Sequence, residues 1–183
     1  MTRAALARLL LIAVIAAIAA AGAIVYLNRE KLQETAIGTV DIGGPFRLAS
    51  ARGGFVDSKD LAGKPYGVFF GYTHCPEVCP TTMFEMSKSL KELGDEAKDF
   101  RLFFITVDPE RDTAPMLADY LSNFDPRIEA LVPTLDELPM VTKQFRAIYE
   151  KVPTSDGGYS MDHTGTLVLM GRDGKLGATV SFG

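Results

Sequence analysis

Apolar residues fall into three patterns along the chain. From Leu9 to Leu27 they are unbroken, with Arg3 and Arg8 before the run and Asn28, Arg29, Glu30 and Lys31 after it. Nineteen residues of helix rise about 28 Å, close to the hydrocarbon thickness of a bilayer. This predicts an uncleaved anchor over residues 1–31, with 9–27 spanning, and a tether over 32–43. A cleavable signal peptide is the competing reading, since Ala19-Ala20-Ala21-Gly22-Ala23 offers small residues, but the run is long for one. The second pattern is short and continuous: Gly67 to Gly71, Leu102 to Val107 and Thr166 to Met170. Such runs fit strands buried on both faces. The third is helical. Met83, Met86, Leu90 and Leu93 share one face, with Gly94 as a stop. Leu117, Tyr120, Leu121 and Phe124 mark a second helix, with Thr113 as cap and Pro115 in its first turn. Leu138, Val141, Phe145 and Ile148 mark a third, opened by the capping-box sequence Thr134-Leu135-Asp136-Glu137.

A first strand is expected from Gly44 to Ala49, with Phe55-Val56 pairing back on it across Ala51-Arg52-Gly53-Gly54. Arg172-Asp173-Gly174-Lys175 reads as the turn of a closing hairpin that leads into Leu176–Ser181. A strand–helix–strand unit followed by a β-hairpin is the thioredoxin-like α/β plan. The expectation is that fold over residues 44–183, with an N-terminal β-hairpin extension and a single N-terminal transmembrane helix.

Charge narrows the class of partner. The chain carries a net −4. Setting aside Arg3, Arg8, Arg29, Lys31 and Glu30 leaves 15 basic against 22 acidic side chains, a net of −7. No basic patch with interleaved aromatics occurs, so nucleic acid is not an expected partner. The positive-inside rule slightly favours a cytoplasmic N-terminus and a periplasmic domain.

Chemistry concentrates at Cys75 and Cys79, the two cysteines of the chain, in Gly71-Tyr72-Thr73-His74-Cys75-Pro76-Glu77-Val78-Cys79-Pro80. They sit where a buried strand gives way to a helix. One helical turn would set their α-carbons roughly 6 Å apart, within reach of a disulfide. The helix N-terminus favours thiolate, the form that binds soft metals and attacks disulfides. Two thiolates alone suit Cu(I); an added imidazole makes a trigonal site that also admits Cu(II). Of the two histidines, His74 adjoins Cys75 and its side chain should point away from it. His163 precedes a buried strand whose start lies at the same sheet end, and is the expected ligand, with Asp162 or Asp108 accepting its other ring N–H. Met83, Met86 and Met161 are thioethers that copper would accept, but the first two fit the helix core. Phe69, Phe70, Phe103 and Phe104 read as core. No Walker loop, G-x-G-x-x-G or G-x-S-x-G sequence occurs.

Three blocks closely resemble the Sco/SenC family: Phe70 to Thr82, then Phe104-Ile105-Thr106-Val107-Asp108-Pro109-Glu110-Arg111-Asp112-Thr113, then Asp162-His163. The likeness runs from about Gly44 to the end of the chain. It implies a thioredoxin-like domain anchored in the bacterial inner membrane and facing the periplasm. It also implies copper, Cu(I) or Cu(II), held by Cys75, Cys79 and His163. The function so implied is a metallochaperone serving the dinuclear copper centre of cytochrome c oxidase subunit II, with other periplasmic copper chaperones or thiol reductases as further partners. The alternative is a thiol–disulfide oxidoreductase using Cys75 and Cys79 as a redox pair to reduce the cysteines of that centre. A peroxidase of peroxiredoxin type is disfavoured, because Thr73 stands two rather than three residues before Cys75. Family members usually continue into a C-terminal helix. Here the chain stops at Ser181-Phe182-Gly183, so the domain is expected to lack that helix.

Overall fold

In a computed structural model of the chain, the apolar runs become the middle of a seven-stranded sheet. The structure describes residues 42–181 and, before them, Ile18, Gly22, Ala23, Ile24 and Tyr26, which are helical. The predicted anchor and tether lie almost entirely outside the described residues. Among the described residues, no helix is long and apolar enough to cross a membrane.

The strands are β1 (Arg47–Ser50), β2 (Phe55–Asp57), β3 (Tyr66–Gly71), β4 (Arg101–Thr106), β5 (Ile128–Val132), β6 (Tyr149–Pro153), β7 (Tyr159–His163), β8 (Thr166–Met170) and β9 (Leu176–Ser181). The helices are α1 (Val78–Leu93), α2 (Ala114–Leu121) and α3 (Glu137–Gln144). Sheet order is β2-β1-β5-β4-β3-β8-β9. The central strands β3, β4 and β5 run parallel, while β1 pairs antiparallel with β5 and β8 antiparallel with β3. This is the expected thioredoxin-like arrangement, with β1–β2 as the added N-terminal hairpin. Gly53 and Gly54 close that hairpin at φ +94° and +71°, where a side chain would be strained.

Burial explains the centre of the sheet. Phe69, Phe70, Phe103 and Phe104 are 0–1% exposed. The pairing Gly71↔Thr106 brings the C-terminal ends of β3 and β4 to one level, and the Val107 amide donates to the Gly71 carbonyl across it at 2.8 Å. Because β8 runs the other way, with Tyr66 opposite Met170 and Val68 opposite Val168, it begins at the sheet end where β3 finishes. Three chain segments therefore converge at one sheet end: the loop after β3, the loop after β4 and the end of β7.

Three expectations are corrected. Strand β5 lies between the second and third helices, beside β4; its sequence IEALV carries Glu129, which interrupts the apolar run yet is buried by accepting from Ser50 Oγ and pairing with Arg101. Helix α3 stops at Gln144 rather than reaching Ile148. Arg146 takes a left-handed φ of 55° and Ile148 is 75% exposed. Helix α2 ends at Leu121, short of Phe124, where Ser122 Oγ donates to the Asp119 carbonyl. The capping box of α3 does form: Thr134 N donates to Glu137 Oε2 at 2.8 Å and Glu137 N to Thr134 Oγ1 at 3.3 Å. Gly94 ends α1, its amide donating to the Leu90 carbonyl. Thr113 caps α2 with its backbone alone.

Strands β6 and β7 form a separate two-stranded sheet, with Tyr149 opposite His163. The turn at Gly157-Gly158 belongs to it.

Candidate metal centre

Each of the three converging segments delivers part of the site. After β3 the chain makes a tight turn in which the Cys75 amide donates to the Tyr72 carbonyl at 3.2 Å. This sets Cys75 just ahead of the first turn of α1, where the Cys79 amide donates to Cys75 Sγ at 3.4 Å. A sulfur thus takes one of the orphan amides of a helix N-terminus. Cys79 sits inside α1, fully buried, against Gly71 and Phe104. His163 ends β7, and its Nε2 lies 3.5 Å from Cys79 Sγ. The two sulfurs and one ring nitrogen all lie within 4.8 Å of one another. The imidazole stands edge-on to Phe69 and to Tyr72, with centroids 6.3 and 5.6 Å away.

The loop after β4 ties these pieces down. Asp112 is fully buried and accepts the Thr73 amide at 3.0 Å, Thr73 Oγ1 at 2.5 Å and Thr106 Oγ1 at 2.6 Å. It therefore pins the turn that presents Cys75. Asp108 pairs with Arg111 and accepts the Tyr159 hydroxyl at 2.9 Å.

The cysteine thiols share a proton unequally. A hydrogen bond from Cys79 holds the Cys75 thiol down at about 4, helped by His163 and by the amides of Cys79 and Glu77, and against the effect of burial. That same hydrogen bond, together with burial, pushes Cys79 far above the ordinary thiol range. Near neutral pH the pair is one thiolate and one thiol. Both cysteines are free. Beside them opens a cavity of 550 Å³ lined by Tyr72, Cys75, Glu77, Ser160, Asp162 and His163 among others. Two sulfurs and an imidazole form a soft donor set of three, one short of a closed tetrahedral zinc site.

The residues picked out from sequence are placed as follows. Cys75, Cys79 and His163 come together. His74 is exposed, its Nδ1 3.1 Å from Thr73 Oγ1, and lies outside the cluster. Neither Asp108 nor Asp162 holds the second nitrogen of His163. Asp108 is taken by Arg111 and Tyr159, and His163 Nδ1 instead lies 3.2 Å from the Thr164 carbonyl. Met161 lines the cavity, Met83 is buried in the core, and Met86 faces a groove of 530 Å³ between α1 and strands β8 and β9. Sequence reasoning gave no role to Arg111, Asp112, Tyr159 or Ser160. The signal lay in the Asp108–Thr113 block, in which the sequence reading gives a hydrogen-bonding role to Asp108 alone.

Comparison with known proteins agrees with this geometry. Residues 34–182 match the SCO1/SenC family model. The copper-bound structure of ScoI from Bradyrhizobium japonicum is 48% identical, with a TM-score of 0.72 over 75% of this chain and 88% of that one. Protein SenC of Rhodobacter capsulatus is 33% identical over 178 residues, 95% of this chain and 80% of SenC. The human mitochondrial SCO1 homolog is 36% identical over 150 residues, 80% of this chain and 50% of the human protein. The chain spans about half the length of the mammalian relatives it matches. On these matches the chain belongs to the SCO1/SenC family.

Proposed function

We propose that this protein is a copper metallochaperone that delivers copper to the dinuclear copper centre of cytochrome c oxidase subunit II. Cys75, Cys79 and His163 are its copper ligands in this reading. Residues 1–31 anchor it in a bacterial inner membrane, residues 32–43 tether it, and the domain from residue 44 onward works in the periplasm. The observation that carries the reading is the convergence of two sulfurs and an imidazole within 4.8 Å at the wall of an open cavity. The copper bound by the Bradyrhizobium relative supports it. Cargo held by three side chains keeps an open position. A ligand from the target enters on the cavity side, displaces the protein ligands one at a time, and the ion passes across without being released to water. Glu77 and Asp162 at the mouth give that approach a negative charge suited to a cation.

Anaerobic titration of the full chain in detergent micelles with Cu(I) and Cu(II) tests this, repeated for Cys75→Ser, Cys79→Ser and His163→Ala. Each variant should bind more weakly, and the Cu(II) form should show sulfur-to-metal charge transfer. Equal affinity in wild type, Cys79→Ser and His163→Ala would reject the proposal.

The unequal sharing of the proton favours a second reading, a thiol–disulfide oxidoreductase acting on the same target. The Cys75 thiolate attacks a target disulfide, forming a mixed disulfide and releasing one target thiolate. Cys79 then attacks the Cys75 sulfur, gives its proton to the departing sulfur, and leaves the target as one thiol and one thiolate with two electrons gained, the thiolate taking any further proton from water. In that role both cysteines are essential and His163 is nearly dispensable, so the His163→Ala variant separates the two activities.

A further inference from the structure

We infer that Arg111 is the positioning residue for the imidazole of the site: it fastens the hairpin that carries His163 onto the loop that also holds the cysteines. The inference rests on the assignment of His163 as a ligand. The β6–β7 hairpin shares no backbone ladder with the main sheet. Apart from its contacts with the cysteine sulfurs, with Nε2 3.5 Å from Cys79 Sγ, the ring takes no side-chain hydrogen bond from the body of the domain, and Nδ1 meets only the Thr164 carbonyl of its own segment. Where Nε2 falls is therefore decided by the two-residue link Thr164-Gly165 to β8 on one side and by how the hairpin docks on the other.

Arg111 supplies the most extensive polar contact of that docking. Its Nε pairs with Asp108, its Nη1 donates to the Tyr159 carbonyl at 2.9 Å, and its guanidinium lies 3.6 Å over the Tyr159 ring. The Tyr159 hydroxyl returns to Asp108, so four groups close a ring of contacts. Arg111 Nη2 is buried without a hydrogen bond, which leaves the carboxylate, the carbonyl and the stack as what holds the guanidinium. The hairpin is also seated by Met161, buried in the core with Tyr149 packed against it, while its other polar ties are an exposed Lys151–Glu110 pair, worth little in water, and one Tyr72–Ser160 hydroxyl contact at 3.0 Å. The next residue, Asp112, holds the Cys75 turn. Two neighbouring side chains of one loop thus fix the two halves of the ligand set. A lysine cannot replace the planar fork and its stack.

Histidine-selective NMR of the metal-free full chain in micelles tests this without any metal, since His74 and His163 give the chain's two imidazole signals. In wild type the His163 ring protons should be displaced by the Phe69 and Tyr72 rings. In Arg111→Gln, and in Arg111→Lys, they should move toward free imidazole while His74 stays put as an internal reference. Tyr159→Leu, which removes the stack and leaves the Asp108 pair, should move them in the same direction and serves if Arg111→Gln fails to fold. In the copper-loaded protein, nitrogen hyperfine coupling should fade while sulfur charge transfer persists, with affinity falling about 10- to 100-fold, the usual loss when an orienting partner goes. A folded variant that melts earlier but keeps His163 at its wild-type shifts overturns the inference. If wild type binds no copper, the ligand assignment fails, and the metal-free ring shifts still decide the docking role.

Discussion

Gly71→Ala should damage the site from beneath. A Cβ built on Gly71 would stand 2.7 Å from Cys79 Sγ and 2.8 Å from two carbons of the Phe104 ring. Contact at the energy minimum needs about 3.5 Å, so the methyl intrudes by about 0.8 Å on the sulfur and by about 0.7 Å on the ring. The ring has nowhere to go: Phe104 is fully buried, with Phe69 and Tyr120 at 6.1 and 5.9 Å. Cys79 has one rotatable side-chain bond, and rotating about it carries the sulfur away from His163 Nε2, now at 3.5 Å. Overpacking of this kind costs about 1–3 kcal/mol of stability. The displaced sulfur should lower copper affinity by at least about tenfold, the smaller end of what disturbing a ligand's support costs. Urea unfolding and competitive Cu(I) titration measure the two effects separately. Gly67→Ala is the matched control, because its Cβ would meet Leu102 Cδ1 at 2.8 Å and Phe100 Cζ at 3.1 Å, both far from the cysteines. It should lose stability and keep its affinity. If Gly71→Ala binds copper like wild type, or if both variants lose affinity equally, the sulfur is not held by that contact and the reasoning fails.

Metal binding should release one proton from the cysteine pair, not two, because Cys75 is held down at about 4 and Cys79 is pushed far up. Affinity therefore rises with pH, by about one unit of log K per pH unit between pH 7 and 9. Calorimetry in two buffers of different ionisation enthalpy counts the protons, and a count of two would refute the shared-proton picture. Asp112→Asn should destabilise the fold by about 2–3 kcal/mol in urea unfolding. The buried carboxylate accepts three donors on its two oxygens, while an amide offers one accepting oxygen, which at best keeps the Thr73 amide and the Thr106 hydroxyl and gives up the charge-assisted bonds and the donation from Thr73 Oγ1. A loss under about 0.5 kcal/mol, the level of ordinary surface changes, would show that the Thr73 turn is held otherwise.

The parts of the fold legible in the sequence are those where one physical demand acts alone. Strands β3, β4 and β8 are buried on both faces, so they read as continuous apolar runs. The capping box and Gly94 are local hydrogen-bond and backbone requirements, visible within four residues. Strand β5 escaped because its Glu129 is satisfied by Ser50 and Arg101, both remote in sequence. Strands β6 and β7 escaped because only Met161 is fully buried, beside half-buried aromatics, while Glu150, Lys151 and Asp162 are exposed. The third helix ends before its apolar period does, because Ile148 keeps the helical period while Arg146 leaves the helical region. The three converging side chains were legible for a different reason: the donor types are scarce. Two cysteines and two histidines leave few combinations, and strand direction alone brings the start of β8 to the end of β3. What holds them was not legible, since Arg111, Asp112 and Tyr159 act through contacts that span up to 51 residues.

The single proton of the cysteine pair also orders the two proposed activities. In the proposed delivery, copper would take both sulfurs as thiolates and expel the proton of Cys79. Reduction of a disulfide consumes that same proton together with two electrons, and joins Cys75 to Cys79. A pair that has reduced its target can no longer hold the ion until it is itself reduced. His163 would be a ligand in one state only; toward a disulfide it forms no bond and does no more than help hold the Cys75 thiolate. A target would therefore meet a metal-free pair for reduction and a reduced, loaded pair for delivery, in that order. Mixing the metal-free protein with an oxidised target should yield the oxidised pair, unable to take up Cu(I) until a dithiol is added. Copper uptake by the protein directly after such a reduction would break that order.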